Sequence, residues 1–197
     1  YSVPAAIDLW NVWRTPPEQI VSEAIRYATE SSSYQYESRA SRIVQGEETV
    51  LSQLTGQKNG ENVHLYGTVD VIDSTMDVYQ IGDTFYRQDI VSQQWMRMEG
   101  QNAEATERLL QEVNPFGAFL YTSAMEVTEQ KKERVQDVLC RKFEVRMNGE
   151  APLFTNVWKE FYYTVWIDKK HRLQQMEVIA EDHETGGEQL KWTVRLD

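Results

Sequence analysis

The sequence predicts an α+β fold. One antiparallel sheet has a buried and a wetted face, one helix precedes it, and a helical insertion divides its strands into two groups. Three observations carry this. The strand-like runs alternate apolar and polar residues rather than staying apolar, the pattern of a sheet with one face in water. A helical period appears twice, before the first strand run and again near the middle. Short turn signals separate the alternating runs, among them Asn59-Gly60, Gly82-Asp83 and Asp168–His171. The 197 residues suffice for one domain with a core, and no repeat, low-complexity tract or linker divides them. We expect a single domain over residues 16–197, preceded by an extension over 1–15.

The elements follow in order. Thr15 is placed to cap a helix that opens on Pro16-Pro17-Glu18, with prolines in the first turn and an acid at the positive end of the helix dipole. Ile20, Val21, Ala24, Ile25 and Ala28 then share one face, so the helix is expected over Pro16–Thr29, broken by "ESSS". From Tyr34 the period becomes two. Tyr36, Ser38 and Ala40 point one way, and Glu37, Arg39 and Ser41 the other. Gly46 interrupts, and "TVLSQLTGQ" is a second strand. "NVHLYGTVDVI" places Val63, Leu65, Gly67, Val69 and Val71 on one face, and Asp73-Ser74 turns the chain into "TMDVYQI". In "VYQIGDTFYR" two strands are joined by Gly82-Asp83. Gly at the first central position suits a type II′ hairpin turn, and leaves Asp83 as a solvated acid.

Asn102 is expected to cap a second helix, "NAEATERLLQEV", with Glu104 in its first turn and Leu109, Leu110 and Val113 on one side; Asn114-Pro115 ends it. The apolar "FGAFLYTSAM" is either a third helix or a segment lying across the sheet. "TEQKKERVQ" is expected to be a charged turn region. "VLCRKFEVRM" has Leu139, Phe143, Val145 and Met147 on one face. "WKEFYYTVWI" and "RLQQMEVIAE" pair across the Asp168–His171 turn. Gly186-Gly187 then turns into "EQLKWTVRL", with Leu190, Trp192, Val194 and Leu196 on one face.

Chemistry is sparse. A net charge of −11 argues against nucleic acid, which needs a positive field, and against docking flat on an anionic membrane. Cys140 is the single cysteine, so no intrachain disulfide forms; its apolar run suits a small hydrophobe in a strand. His64, His171 and His183 have no metal-ligand spacing, and His171 and His183 are expected to be exposed. No nucleophile, phosphate-loop or dinucleotide motif occurs. We expect no catalytic residues, no metal and no cofactor. The opening "YSVPAAIDLWNVWR" is too short to span a bilayer. Trp10, Trp13 and Arg14 fit the interfacial end of a removed membrane anchor; equally, Ile7, Leu9 and Trp10 fit simple packing onto the domain.

Two hairpins carry a family resemblance. "VYQIGDTFYR…QQWMRM", Val78 to Met98, resembles a hairpin of LolA-like extracytoplasmic proteins, including the LppX/LprG class of lipoproteins, in which a Gly-Asp turn is followed by a Trp-bearing strand. "YYTVWIDKKHRLQQMEV", Tyr162 to Val178, resembles a second hairpin of that family. The resemblance covers residues 16–197 in element order, and the lipobox cysteine is absent. It implies a strongly curved sheet, a half-open β-barrel, wrapped around the N-terminal helix and the helical insertion. In carriers of this fold the space between sheet and helices receives acyl chains. On that basis the concave-face candidates for ligand contact are Tyr36, Ala40, Leu65, Val69, Val78, Phe143, Val145, Met176, Val178 and Trp192. Phe116, Phe119, Leu120 and Tyr121 are the lid candidates. The expected function is non-enzymatic binding of a lipid or lipoprotein acyl chain outside the cytoplasm, attached to the cell envelope. The alternative is an RseB-like sensor with a filled core and an exposed apolar patch, acting on an envelope protein partner from a membrane-anchored chain.

Overall fold

The structure is a computed structural model and describes residues 15–70, 73–112, 125–147, 160–182 and 187–197. Helix α1 (Pro17–Glu30) leads into a meander of six strands: β1 (Ser33–Val44), β2 (Glu47–Asn59), β3 (Asn62–Val69), β4 (Ser74–Ile81), β5 (Thr84–Gln88) and β6 (Trp95–Arg97). Helix α2 (Gln101–Glu112) follows. A second meander then runs through β7 (Met125–Val135), β8 (Val138–Met147), β9 (Glu160–Ile167), β10 (Leu173–Asp182) and β11 (Glu188–Leu196). The two meanders form one open antiparallel sheet of 11 strands, in the order β6-β5-β4-β3-β2-β1-β11-β10-β9-β8-β7. The join is β1 against β11, from Tyr36 opposite Leu196 to Ile43 opposite Gln189.

Two-residue turns fix much of the register. Ile81 pairs with Thr84 across Gly82-Asp83, and only Gly82 has positive φ (57°), which makes this the expected type II′ turn. Gln136-Asp137, with φ of 45° and 66°, closes the β7–β8 hairpin as a type I′ turn.

Four local expectations are corrected. Helix α1 starts one residue later than expected. Its cap is Pro16, whose carbonyl accepts from Gln19 N at 3.0 Å, and no side chain caps the helix. Asn102 lies inside the first turn of α2 rather than before it, because the chain turns at Gly100 (φ 56°), whose carbonyl accepts from Glu104 N. Ser41 is buried instead of facing water, although it keeps the face of Glu37 and Arg39; it sits where a β-bulge at Leu51 of β2 shifts the β1–β2 register. "TEQKKERVQ" is no turn region: Thr128–Val135 belongs to β7, an edge strand, and only Gln136 lies in the turn. Lysines and acids on an outer strand block pairing with another chain, which is why the strand reads as a loop.

Candidate functional site

The sheet face that packs against α1 is the inner face, and its side chains follow from register. One row runs Phe143, Val165, Met176, Val194, Ser38 and Leu54 across six neighbouring strands. A second row runs Val145, Tyr163, Val178, Trp192 and Ala40. A third runs Leu196, Tyr36, Gly56, Leu65, Val78 and Arg87. Ile20, Val21, Ala24 and Ile25 of α1 join Phe143, Val145, Met176, Val178 and Val194 in one buried cluster. Full burial of each large aliphatic here is worth roughly 1.5–3 kcal/mol. Tyr163 belongs to the same cluster, and burial pushes its hydroxyl up to about 12.

Tyr36 depends on a glycine. A Cβ on Gly56 would fall 2.1 Å from the Tyr36 ring, so the bare backbone of β2 makes room for the ring. Burial, with Tyr34 as a lesser influence, pushes the Tyr36 hydroxyl well above the usual tyrosine range.

Helix α2 covers the other half of the inner face differently. Of its described side chains only Thr106 is buried; Leu109 and Leu110 are half-buried. A cleft opens on each side of it. One, of about 390 Å³, is lined by Met76, Val78, Met98, Ala105 and Leu109, with Arg87 and Arg108 at its polar margin. The other, of about 430 Å³, is lined by Tyr34, Tyr36, Val63 and Leu110, with Lys58, Glu61, Asp83 and Glu107 around it. Both volumes fall within the ~300–1,000 Å³ of small-molecule sites.

The candidate residues therefore separate. Tyr36 and Val78 border the clefts but are themselves buried, and Tyr36 also belongs to the packed cluster. Ala40, Val69 and Trp192 are half-buried. Leu65, Phe143, Val145, Met176 and Val178 sit in the packed cluster. Phe116, Phe119, Leu120 and Tyr121 lie outside the described residues, as does His183. Met76, Met98, Leu109 and Arg87 were not among the candidates. Met76 shares the alternation of Val78, and the Gly82-Asp83 turn places Arg87 directly opposite Val78.

The outer face is polar. A depression of about 690 Å³ over β2, β1, β11 and β10 is lined by Glu37, Arg39, Gln53, Lys191 and Arg195, among others. Its charges are partly neutralised, Arg195 by Glu37 and Arg39 by Glu48, so it is a hydrated groove rather than an apolar site. His64 is stacked on Tyr79 with ring centroids 3.8 Å apart, and its Nε2 lies 2.7 Å from Asp77 Oδ1. Cys140 is buried on this side with Val135 and Trp166; burial, then the Asp168 charge, pushes its thiol up, so it is held as an unreactive hydrophobe. His171 is half-exposed, 3.5 Å from Glu23 of α1. Among the described residues no three His, Cys, Asp or Glu side chains gather as a metal site, and no helix is long and apolar enough to cross a membrane.

An open antiparallel sheet of two meanders, carrying helices on its inner face, defines the class of fold. Neither a family model nor a curated protein sequence matches the chain. Among solved structures it is similar to the lipoprotein LppX of Mycobacterium tuberculosis, with a TM-score of 0.57 at 12% identity over 91% of this chain and 94% of that one. It is also similar to LprF of Mycobacterium bovis, with a TM-score of 0.56 at 10% identity over 92% of this chain and 91% of that one. The fold is LppX-like, in line with the resemblance of the two hairpins.

Proposed function

We propose that this chain is a non-catalytic, extracytoplasmic domain of the cell envelope that binds an apolar ligand, a lipid or lipoprotein acyl chain, between the inner face of the sheet and α2. The observation that carries the reading is the cleft of about 390 Å³ floored by Met76 and Val78 and walled by Leu109. Half-open clefts of this size on both sides of one helix are compatible with a small-molecule site and support the reading. Tyr36 and Val78, which border the clefts, are the sequence candidates nearest the ligand; Phe143, Val145 and Met176 belong to the packed cluster under α1 and stay outside the site. The LppX-like fold supports the reading.

Native mass spectrometry tests it. The protein, incubated with a phospholipid or a long-chain fatty acid, is expected to carry one ligand mass that is lost on denaturation. Leu109→Trp fills the cleft and is expected to lower uptake at least tenfold. A bare protein mass before and after incubation refutes the proposal.

The sensor alternative keeps one observation. Val91 is 92% exposed at the β5–β6 loop, beside exposed Ile90, Trp95 and Met96. That patch suits a protein partner. The clefts along α2 speak against the filled core this alternative requires.

A further inference from the structure

We infer that the ligand is an anionic amphiphile: an apolar chain lying on Met76, Val78, Met98 and Leu109, and a carboxylate or phosphate head held between Arg87 and Arg108. This rests on the proposed function and names the class of molecule that the site takes. Charge placement selects an anionic head. The protein is strongly acidic, at −11 overall, yet the apolar cleft carries two guanidiniums and no acid in its lining. Its sister cleft across α2 has Glu61, Asp83 and Glu107 against Lys58 alone. Consecutive residues of one helix, Glu107 and Arg108, thus face opposite clefts with opposite charges. An anionic head is repelled from one side and attracted to the other.

Both guanidiniums are also available. Elsewhere arginines are bound to carboxylates, as Arg42 is to Glu188, Arg141 to Glu129 and Arg195 to Glu37. Among the described residues neither Arg87 nor Arg108 forms an ion pair. Asp89, the acid nearest in sequence to Arg87, is held below the usual carboxylate range mainly by the Ser92 N–H and hydroxyl; Arg87 is the least of its influences. Arg87 and Arg108 approach from different elements, β5 and α2, so a head between them bridges sheet and helix. Guanidinium is suited to this because its planar fork matches carboxylate and phosphate oxygens.

The experiment compares three probes with the intact protein, at low salt and below micelle formation: hexadecanoate, hexadecanol and inorganic phosphate. The acid is expected to bind at least tenfold more tightly than the alcohol, with the preference shrinking as salt screens it. The double variant Arg87→Gln with Arg108→Gln is expected to abolish that preference, so that acid and alcohol bind alike; Arg87→Lys with Arg108→Lys restores part of it. Both arginines are exposed, and circular dichroism verifies that the variants fold. Equal binding of acid and alcohol overturns the head assignment but leaves the apolar site standing. Phosphate binding as tightly as the acid, with no binding of the alcohol, also overturns it, showing an anion site with no place for a chain. Binding of neither acid nor alcohol overturns both this inference and the function it rests on.

Discussion

The two helices meet the same sheet and do different work. Helix α1 inserts Ile20, Val21, Ala24 and Ile25 fully into the inner face, against strands of the second meander. Helix α2 buries Thr106 and leaves Leu109 and Leu110 half-exposed beside open clefts. Their sequences show why. In α1 the apolar residues at 20, 21, 24, 25 and 28 make a broad stripe. In α2 the described apolar residues are Ala103, Ala105, Leu109 and Leu110, and they share no such stripe. A broad stripe seals; a sparse one only covers. One half of the sheet is therefore a rigid wall, and the other is the place where contents can change.

Substitutions test that contrast. Phe143→Ala, in the sealed half, is expected to cost about 3–5 kcal/mol in urea unfolding. Met176→Ala and Met76→Ala form a matched pair on the two halves. The buried Met176 is expected to lose about 2–5 kcal/mol and the cleft-lining Met76 under about 1 kcal/mol. Equal losses at the two methionines would erase the distinction.

Acid sensitivity should also concentrate in the sealed half. Asp168 is buried in the β9–β10 turn. Burial alone raises its pKa, but the Arg172 N–H at 2.9 Å, the Arg172 guanidinium and the Lys170 N–H at 2.8 Å outweigh this, and the net shift is downward. A depressed native pKa stabilises the fold above the unfolded value of about 3.9, and that gain vanishes as pH falls through the native value. Asp168→Asn is expected to cost about 1.5–3 kcal/mol at pH 7. Urea titrations at pH 7 and pH 3 should show the wild type losing more stability than the variant over that interval. Gly56→Ala must displace the Tyr36 ring, at about 1–3 kcal/mol, and should also reshape the Tyr36-lined cleft. The smallest effect belongs to Arg26→Ala, which breaks an exposed pair with Glu30 at 3.9 Å and is expected to change stability by less than about 0.5 kcal/mol.

Local features of the fold were legible and long-range ones were not. Turn chemistry set the hairpins: once Gly82-Asp83 is a two-residue turn, Val78 must face Arg87. Alternation identified Phe143, Val145, Met176, Val178, Trp192 and Val194 on the inner face, but Leu139, expected beside Phe143, is exposed. Alternation could not foresee the β2 bulge opposite Ala40/Ser41, because a single inserted residue leaves no compositional mark. It missed β7 because a protected edge strand is charged by necessity. The clefts were beyond it altogether: Met76 and Met176 both sit on strands and look alike in sequence, and only their covering helices separate them.

The β1–β11 join bears on how the chain reaches this state. Strand β11, next to the centre of the sheet, is made after both of its neighbours. Until β11 is inserted, β1 and β10, strands of 12 and 10 residues, each present an unpaired edge. Contacts between residues 36 and 196 also give the topology a high contact order, which slows folding. The nascent protein thus carries two long open edges until β11 has been made and inserted, and such edges are templates for aggregation. A chain lacking residues 188–197 should remain in that state permanently, a kinetic vulnerability that the finished sheet conceals.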